Sequence, residues 1–210
     1  MTPDERVELT ERNYERFMKF VERDSRSEQL KKMYEEYGDE LILAPASGKV
    51  HFHNCWPGGY LDHVLRVMET TLKITKLYKE SGGTVDFTME EAIFAAMHHD
   101  LGKLGSPGLP YYVDQDSDWH RGRGELYIHN HDIGFMKVPD RALFILQQNG
   151  IVITEKEMYG IKLADGLYDE ANKNYLINYT HKDPVRTNLG SILHMADYLS
   201  TQVENDARRP

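Results

Sequence analysis

Apolar residues recur every three or four positions along much of the chain, and this spacing predicts a series of helices. Two amphipathic helices are expected near the N-terminus, over 4–23 and over 27–37, where Gly38 stops the second. A stronger helix is predicted over 60–79. Its apolar positions are Leu61, Val64, Leu65, Met68 and Leu72. Residues 88–101 are apolar on nearly every side, so we expect this helix to lie in the core.

The second half of the chain predicts three further helices, over 139–149, 154–165 and 187–204. Pro139 suits the first turn of the first of these helices, and Gly150 suits its end. One face of the last helix is expected to be buried. It consists of Leu189, Ile192, Leu193, Ala196, Leu199 and Val203.

Three segments between the helices are expected to be irregular. Residues 41–56 contain Pro45 and Gly48, which indicates a loop or a short hairpin. Residues 102–124 are rich in glycine, proline, aspartate and tyrosine and predict a long loop, which is usually functional inside a domain. Residues 166–187 also lack a clear pattern. Because strand signals are weak throughout, we predict an all-α fold.

The composition is that of a folded protein with one domain. The chain has 210 residues, 40% of them hydrophobic, which is too many core-forming residues for a disordered chain. A formal net charge of −9 disfavours a protein that coats duplex nucleic acid. Cys55 is the only cysteine, which excludes an internal disulfide and a cysteine-rich zinc module. No long apolar stretch and no apolar signal core are present, so we expect a cytoplasmic protein without a membrane partner.

Histidine and aspartate residues stand at unusual places in the predicted core helices. His99 and Asp100 are adjacent at the end of an apolar helix, and Gly102 just after them fits a helix end. His63 and Asp197 lie among apolar residues of two other helices. Such groups are costly to bury unless a partner satisfies them, and a divalent ion can do so. We predict one ion (Mn, Fe, Co, Ni, Zn or Mg) bound by these four residues. The alternative is a core histidine hydrogen-bonded to a neighbouring aspartate.

The same residues resemble the HD-domain metal-dependent phosphohydrolase superfamily. Its pattern is a histidine on one helix, a His-Asp doublet on a second and an aspartate on a late helix. The stretch WPGGYLDHVLRV also resembles the PGG-x-x-x-H opening of a subset of that superfamily. The resemblance spans about residues 56–203. It implies a compact helical bundle of the HD-domain type, with a long functional loop after the His-Asp helix. The single domain would cover 1–210, with an N-terminal helical extension over 1–40.

The resemblance implies an enzyme that hydrolyses a small phosphorylated molecule, with a metal-activated water attacking phosphorus. A nucleotide is the favoured substrate, as in a nucleotidase or a nucleoside polyphosphate hydrolase. Two other functions stay open: an HD-fold di-iron oxygenase of a small substrate, and a non-catalytic nucleotide-sensing module. His129, His131 and Asp165 are candidate ligands for a second metal or for substrate, and a polar loop is the alternative for the histidines. Dinuclear relatives often have histidine where this chain has Ala164 and Asp165, which weakens the dinuclear alternative.

Two cations are placed to act near the metal ligands. Lys103 lies four residues after His99, and Arg66 lies three residues after His63, so each pair could share one side. We predict that Asp100, Lys103 and Arg66 are the catalytic residues. Lys103 and Arg66 would bind the substrate phosphate and not the metal. A solvated surface cation is the alternative for each of them.

Further substrate contacts are predicted in the loop segments. Arg121 and Arg123 stand among the aromatic residues of 111–125, a combination that suits phosphate and nucleobase binding. The alternative is an ordinary surface loop. His51 and His53 flank the PGG segment and could line a substrate pocket or an edge strand.

Overall fold

Helices account for most of the fold, a computed structural model that describes residues 2–177 and 187–207. In chain order the helices are α1 (Pro3–Arg23), α2 (Ser27–Tyr37), α3 (Asp39–Leu43), α4 (Gly59–Glu80), α5 (Met89–His98), α6 (Asp118–Gly122), α7 (Val138–Gln148), α8 (Glu155–Leu163), α9 (Lys173–Leu176) and α10 (Leu189–Asp206). Shorter 3-10 turns lie at Leu101–Leu104, Gly166–Tyr168 and Glu170–Asn172. The prediction of a mostly helical protein is confirmed. Among the described residues, no helix combines the length and the apolar character needed to cross a membrane.

Helix α4 lies at the centre and packs against α1, α3, α5 and α10. The predicted inward face of α4 is buried, except that Leu72 is partly exposed. Helix α5 packs between α4 and α8, with a further contact to α10. Neighbours on several sides explain why nearly every position of α5 is apolar.

The two N-terminal helices belong to the same hydrophobic core. Phe17 and Val21 of α1 and Leu30 and Met33 of α2 are fully buried in the cluster that contains the inner face of α4. Burying a side chain of this size stabilises a fold by about 1.5–3 kcal/mol. The first two helices therefore pack into the same core as α4.

The segment predicted as a long loop, 102–124, contains strand β1 (Tyr112–Asp114) and helix α6, and β1 forms a short hairpin with a strand that follows the segment. Strand β1 pairs antiparallel with this second strand, β2 (Tyr127–His129). Each strand has only three residues, too few for an alternating pattern to stand out. The segment 41–56 forms no hairpin of its own: Lys49 makes one bridge to Glu125 instead. The segment predicted as irregular at 166–187 contains α9, and residues 178–186 of it lie outside the described part of the chain.

The predicted face of α10 is buried at Leu189, Ile192, Leu193 and Ala196, but not at its last two positions. Leu199 and Val203 are 46% and 44% exposed, whereas Ser200 and Glu204 are buried. The buried face includes polar residues, so apolar spacing alone misplaces its centre. Glu204 therefore lies in the interior, seven residues after Asp197 on the same helix.

Candidate metal centre

The end of α5 places two adjacent side chains at one point. The helix ends at His98, His99 keeps helical backbone angles, and Asp100 leaves the helix with φ −105° and ψ 9°. This change of direction allows neighbouring residues to face the same site. Gly102 is required just afterwards, because a Cβ there would lie 2.2 Å from the carbonyl oxygen of Val138 on α7.

Four side chains from three parts of the fold converge at this point, as the sequence pattern predicts: His63 of α4, His99, Asp100 and Asp197 of α10. The Nε2 atom of His63 lies 3.6 Å from Asp100 Oδ2 and 3.2 Å from Asp197 Oδ1. The Nε2 atom of His99 lies 3.6 Å and 3.9 Å from the same two oxygens. In a tetrahedral site with bonds of 2.0–2.2 Å, neighbouring ligand atoms are about 3.4 Å apart. The ligand atoms of His63, His99 and Asp100 therefore fit a divalent ion, and Asp197 adds an oxygen near both histidine nitrogens.

In the rings of His63 and His99, Nδ1 is hydrogen-bonded to the protein and Nε2 faces the other three candidate ligands. Nδ1 of His99 lies 2.7 Å from the carbonyl oxygen of Ala96, and Nδ1 of His63 lies 3.1 Å and 3.2 Å from the carboxylate oxygens of Glu204. Because these oxygens only accept, each Nδ1 carries a proton and donates it. Nε2 of both rings is buried and makes no well-aligned hydrogen bond, although Nε2 of His63 lies 3.2 Å from Oδ1 of Asp197. Buried polar atoms normally have one, and a metal ion would provide it.

Glu204 is a residue of the candidate centre that the sequence interpretation missed. Its side chain is 1% exposed, and one of its oxygens also accepts a hydrogen bond of 3.1 Å from Nε of Arg66. Arg66 therefore lies on the Nδ1 side of His63, where it balances the charge of Glu204. The spacing of seven residues from Asp197 was an available signal, because it places Glu204 on the same face of α10.

Strong electrostatic interactions hold the ligand set. Burial opposes a charge on His63, but Glu204 and Asp197 outweigh it and raise the pKa of His63 to about 10. Burial alone would raise the pKa of Asp100, but Lys103 and the two histidines hold it well below its usual range. Carboxylates that stabilise a positive charge here would also stabilise a divalent cation.

Lys103 stands directly beside the ligand set. Its ammonium lies 2.6 Å from Oδ2 of Asp100, the oxygen that faces the two histidine Nε2 atoms. Burial opposes the charge of Lys103, but Asp100 more than compensates and raises the pKa of Lys103 above its ordinary value. Lys103 is thus a permanent cation one side chain away from the candidate ion.

His53 packs against the ligands from the PGG side. Its ring centroid lies 4.4 Å from that of His63, and its Nε2 is buried without a hydrogen-bond partner. Burial, together with His63 and Lys103, lowers the pKa of His53 to about 2. His53 is therefore a neutral imidazole at the edge of the site, whereas His51 is exposed.

Two openings flank the ligand set. A cavity of about 530 Å³ lies on one side, with Lys103 in its wall together with Tyr112 and Tyr127 of the hairpin. A smaller cleft of about 200 Å³ lies on the other side, where Asp197 and Asp165 form part of the wall. None of the four candidate ligands lines the larger cavity, which meets the site only through Lys103, whereas Asp197 itself lines the smaller cleft.

The predicted second set of ligands is not brought together in the same way. His129 and His131 have ring centroids 6.0 Å apart, and His129 packs against Tyr111. Within the described residues, two groups of side chains are spaced to hold an ion: His63, His99 and Asp100, and His53, His63 and Glu204. Neither group includes these histidines or Asp165. Burial and the charge of Asp100 raise the pKa of Asp165, which places it near the first site.

The two predicted arginines of the loop lie on the surface. Arg121 is bonded to Asp118 and to the carbonyl oxygen of Gln115. The guanidinium of Arg123 lies 4.5 Å from the ring centroid of Trp119. Both arginines are exposed, and their role in substrate binding stays a prediction.

Comparisons of the chain with protein-family models, with curated proteins and with solved structures found no match. The superfamily resemblance therefore stays a prediction, and the interpretation of the site depends on its own geometry.

Proposed function

We propose that the chain is a metal-dependent phosphohydrolase of the HD type, acting on a nucleotide or a related phosphoester in the cytoplasm. The observation that carries this proposal is the pair of Nε2 atoms without a well-aligned hydrogen bond, on His63 and His99, that face two carboxylates at 3.2–3.9 Å. Two imidazoles and two carboxylates form a neutral set with a divalent ion, and such an ion lowers the pKa of water and polarises a phosphoryl oxygen.

The protein's own groups supply the rest of the proposed chemistry. Glu204 and the carbonyl oxygen of Ala96 orient the two imidazoles, so that each directs Nε2 inward. Lys103 neutralises phosphate charge, because its ammonium lies beside Asp100 and also lines the larger cavity. Arg66 acts on the opposite side of His63, through Glu204, and its proposed part in catalysis is to keep that carboxylate in place.

The test combines metal analysis with a phosphate-release screen. The purified protein is loaded with Mn²⁺, Co²⁺, Zn²⁺ or Mg²⁺ and incubated with nucleoside mono-, di- and triphosphates. We expect one bound ion per chain and release of phosphate that stops when a chelator removes the ion. His99→Ala is expected to lose both properties, while Glu80→Gln, at an exposed position at the end of α4, keeps them.

The outcomes separate the proposal from its alternatives. Two irons per chain with consumption of oxygen would indicate an oxygenase instead. Tight nucleotide binding without turnover under any of these metals would indicate a sensing module. A folded protein that binds no ion would show that the four side chains form a purely structural cluster.

A further inference from the structure

The ammonium of Lys103 occupies a carboxylate oxygen that a metal ion would use. Its Nζ atom lies 2.6 Å from Oδ2 of Asp100. The same oxygen lies 3.6 Å from Nε2 of His63 and 3.6 Å from Nε2 of His99, and these two histidines and Asp100 form one of the groups spaced to hold an ion. The lysine and an ion would therefore compete for one oxygen atom.

Little water reaches this pair of charges. The side chains of Lys103 and Asp100 are only 12% and 9% exposed. Among the described residues, Asp100 is the only hydrogen-bond or ion-pair partner of the Lys103 ammonium. Charges buried to this extent are costly unless an opposite charge stays close to them. In the metal-free protein, Lys103 thus supplies the positive charge that lies nearest to Asp100.

An ion bound to this oxygen would meet the lysine at short range. Metal–oxygen bonds are about 2.0–2.2 Å long, so an ammonium that stayed 2.6 Å from Oδ2 would lie within about 5 Å of the ion. Like charges at this distance repel each other strongly in a buried site, and the ion carries two of them. Metal binding therefore opposes the contact between Lys103 and Asp100.

Of the groups around this oxygen, the lysine has the most freedom to move. Its ammonium is carried by a flexible stem of four carbons, and it lines the larger cavity of about 530 Å³. The two imidazoles are held by Glu204 and by the carbonyl oxygen of Ala96. None of the four candidate ligands lines this cavity, so it gives a displaced ammonium room without disturbing the ligand set.

Resting on the metal-dependent function proposed above, we propose that Lys103 regulates the loading of the centre. In the metal-free protein its ammonium takes the place of the ion at Asp100. When Asp100 binds an ion, the ammonium turns towards the cavity side, where it is available to a phosphoryl group. Lys103 therefore weakens metal binding, and it offers its charge to a substrate only in the loaded protein.

The first test is calorimetric titration of the metal-free protein with Mn²⁺ at a single pH. We expect Lys103→Met to bind Mn²⁺ at least about tenfold more tightly than the wild type, because the competing charge is gone. Lys103→Arg keeps the charge and should bind within about threefold of the wild type. Lys76→Met removes a lysine from an exposed ion pair on α4 and is the matched control, with unchanged affinity.

The second test is thermal unfolding of the same proteins without metal and with saturating Mn²⁺. Without metal, Lys103→Met leaves Asp100 without its ammonium, and we expect Tm to fall by about 5–10 °C. With saturating Mn²⁺ the difference should nearly disappear. A purely structural lysine would lower Tm equally in both states. If the methionine variant does not fold, Lys103→Gln, which still donates to Asp100 but carries no charge, serves for both measurements.

The results separate this inference from the function on which it rests. Tighter Mn²⁺ binding by Lys103→Met, without release of phosphate from any substrate by the wild type, would support the inference and contradict the phosphohydrolase function. Equal or weaker Mn²⁺ binding by this variant, or an equal loss of Tm in both states, would overturn the inference and leave the function standing. Absence of Mn²⁺ binding in both the wild type and the variant would overturn both.

Discussion

Replacing Glu204 is the most informative perturbation of the candidate centre. Glu204 is not a proposed ligand, and it contacts His63 at Nδ1, the nitrogen that faces away from the proposed ion. Glu204 binds Nδ1 of His63 at 3.1–3.2 Å and Nε of Arg66 at 3.1 Å, and it is 1% exposed on its side chain. Its proposed role is to fix the orientation and the protonation of His63. We therefore expect Glu204 variants to weaken metal binding more than they lower the stability of the fold.

The expected size of the effect follows from these contacts. Loss of a carboxylate that orients a metal-binding histidine typically costs ten- to a hundredfold in metal affinity, or about 1.4–2.7 kcal/mol. Glu204→Ala removes both hydrogen bonds and should lie near the upper limit. Glu204→Gln keeps the shape, but its amide N–H can donate to Nδ1 of His63 and so place the proton on Nε2. We expect this variant to lose about tenfold.

The assay is calorimetric titration of the metal-free protein with Mn²⁺ or Zn²⁺, with thermal unfolding of the same samples. Glu80→Gln, at an exposed position on the last turn of α4, is the matched control and should bind like the wild type. His99→Ala should abolish binding. If both Glu204 variants stay folded and bind metal within twofold of the wild type while His99→Ala does not bind, His63 is not oriented by Glu204 and the reasoning is refuted.

Three further predictions concern the ligands and the core. Asp100→Ala should abolish metal binding and hydrolysis and leave the helical content unchanged by circular dichroism; hydrolysis at the wild-type rate would contradict the mechanism. Lys103→Met should keep the metal content, measured by elemental analysis, and lower the rate roughly ten- to a thousandfold; loss of metal would show a structural role instead. Arg26→Met should lower the free energy of unfolding by about 3 kcal/mol, because it leaves Glu157 buried without its partner. Arg16→Met breaks an exposed ion pair and should cost less than about 1 kcal/mol in the same denaturant titration.

The helices were predictable from the sequence because their burial follows a regular period. Helix α4 was expected over 60–79 and spans Gly59–Glu80, and its predicted face is buried over most of its length. The hairpin of β1 and β2 was not predictable in this way. Its strands are three residues long and pair across an intervening helix, so local spacing carries little information about them.

The ligand positions were predictable for a chemical reason. Few residue types can bind a divalent ion, and His63, His99 and Asp197 are conspicuous among apolar neighbours. The structure brings these side chains and Asp100 together.

The groups that support the ligands follow a different rule, which explains why the sequence interpretation overlooked Glu204. A supporting residue needs only to reach the far nitrogen of an imidazole, and a carboxylate or a backbone carbonyl serves equally well. Its identity therefore depends on which helix packs behind the ligand: α10 supplies Glu204 behind His63, whereas the last turn of α5 itself supplies the Ala96 carbonyl behind His99. Because the support of His63 is a charged side chain from a distant helix, it couples the docking of α10 onto α4 to the geometry of the ligand set. The support of His99 is local and involves no such coupling. Disturbing the packing of α10 should thus displace two groups at once, the candidate ligand Asp197 and the carboxylate of Glu204 that supports His63, and leave the support of His99 in place.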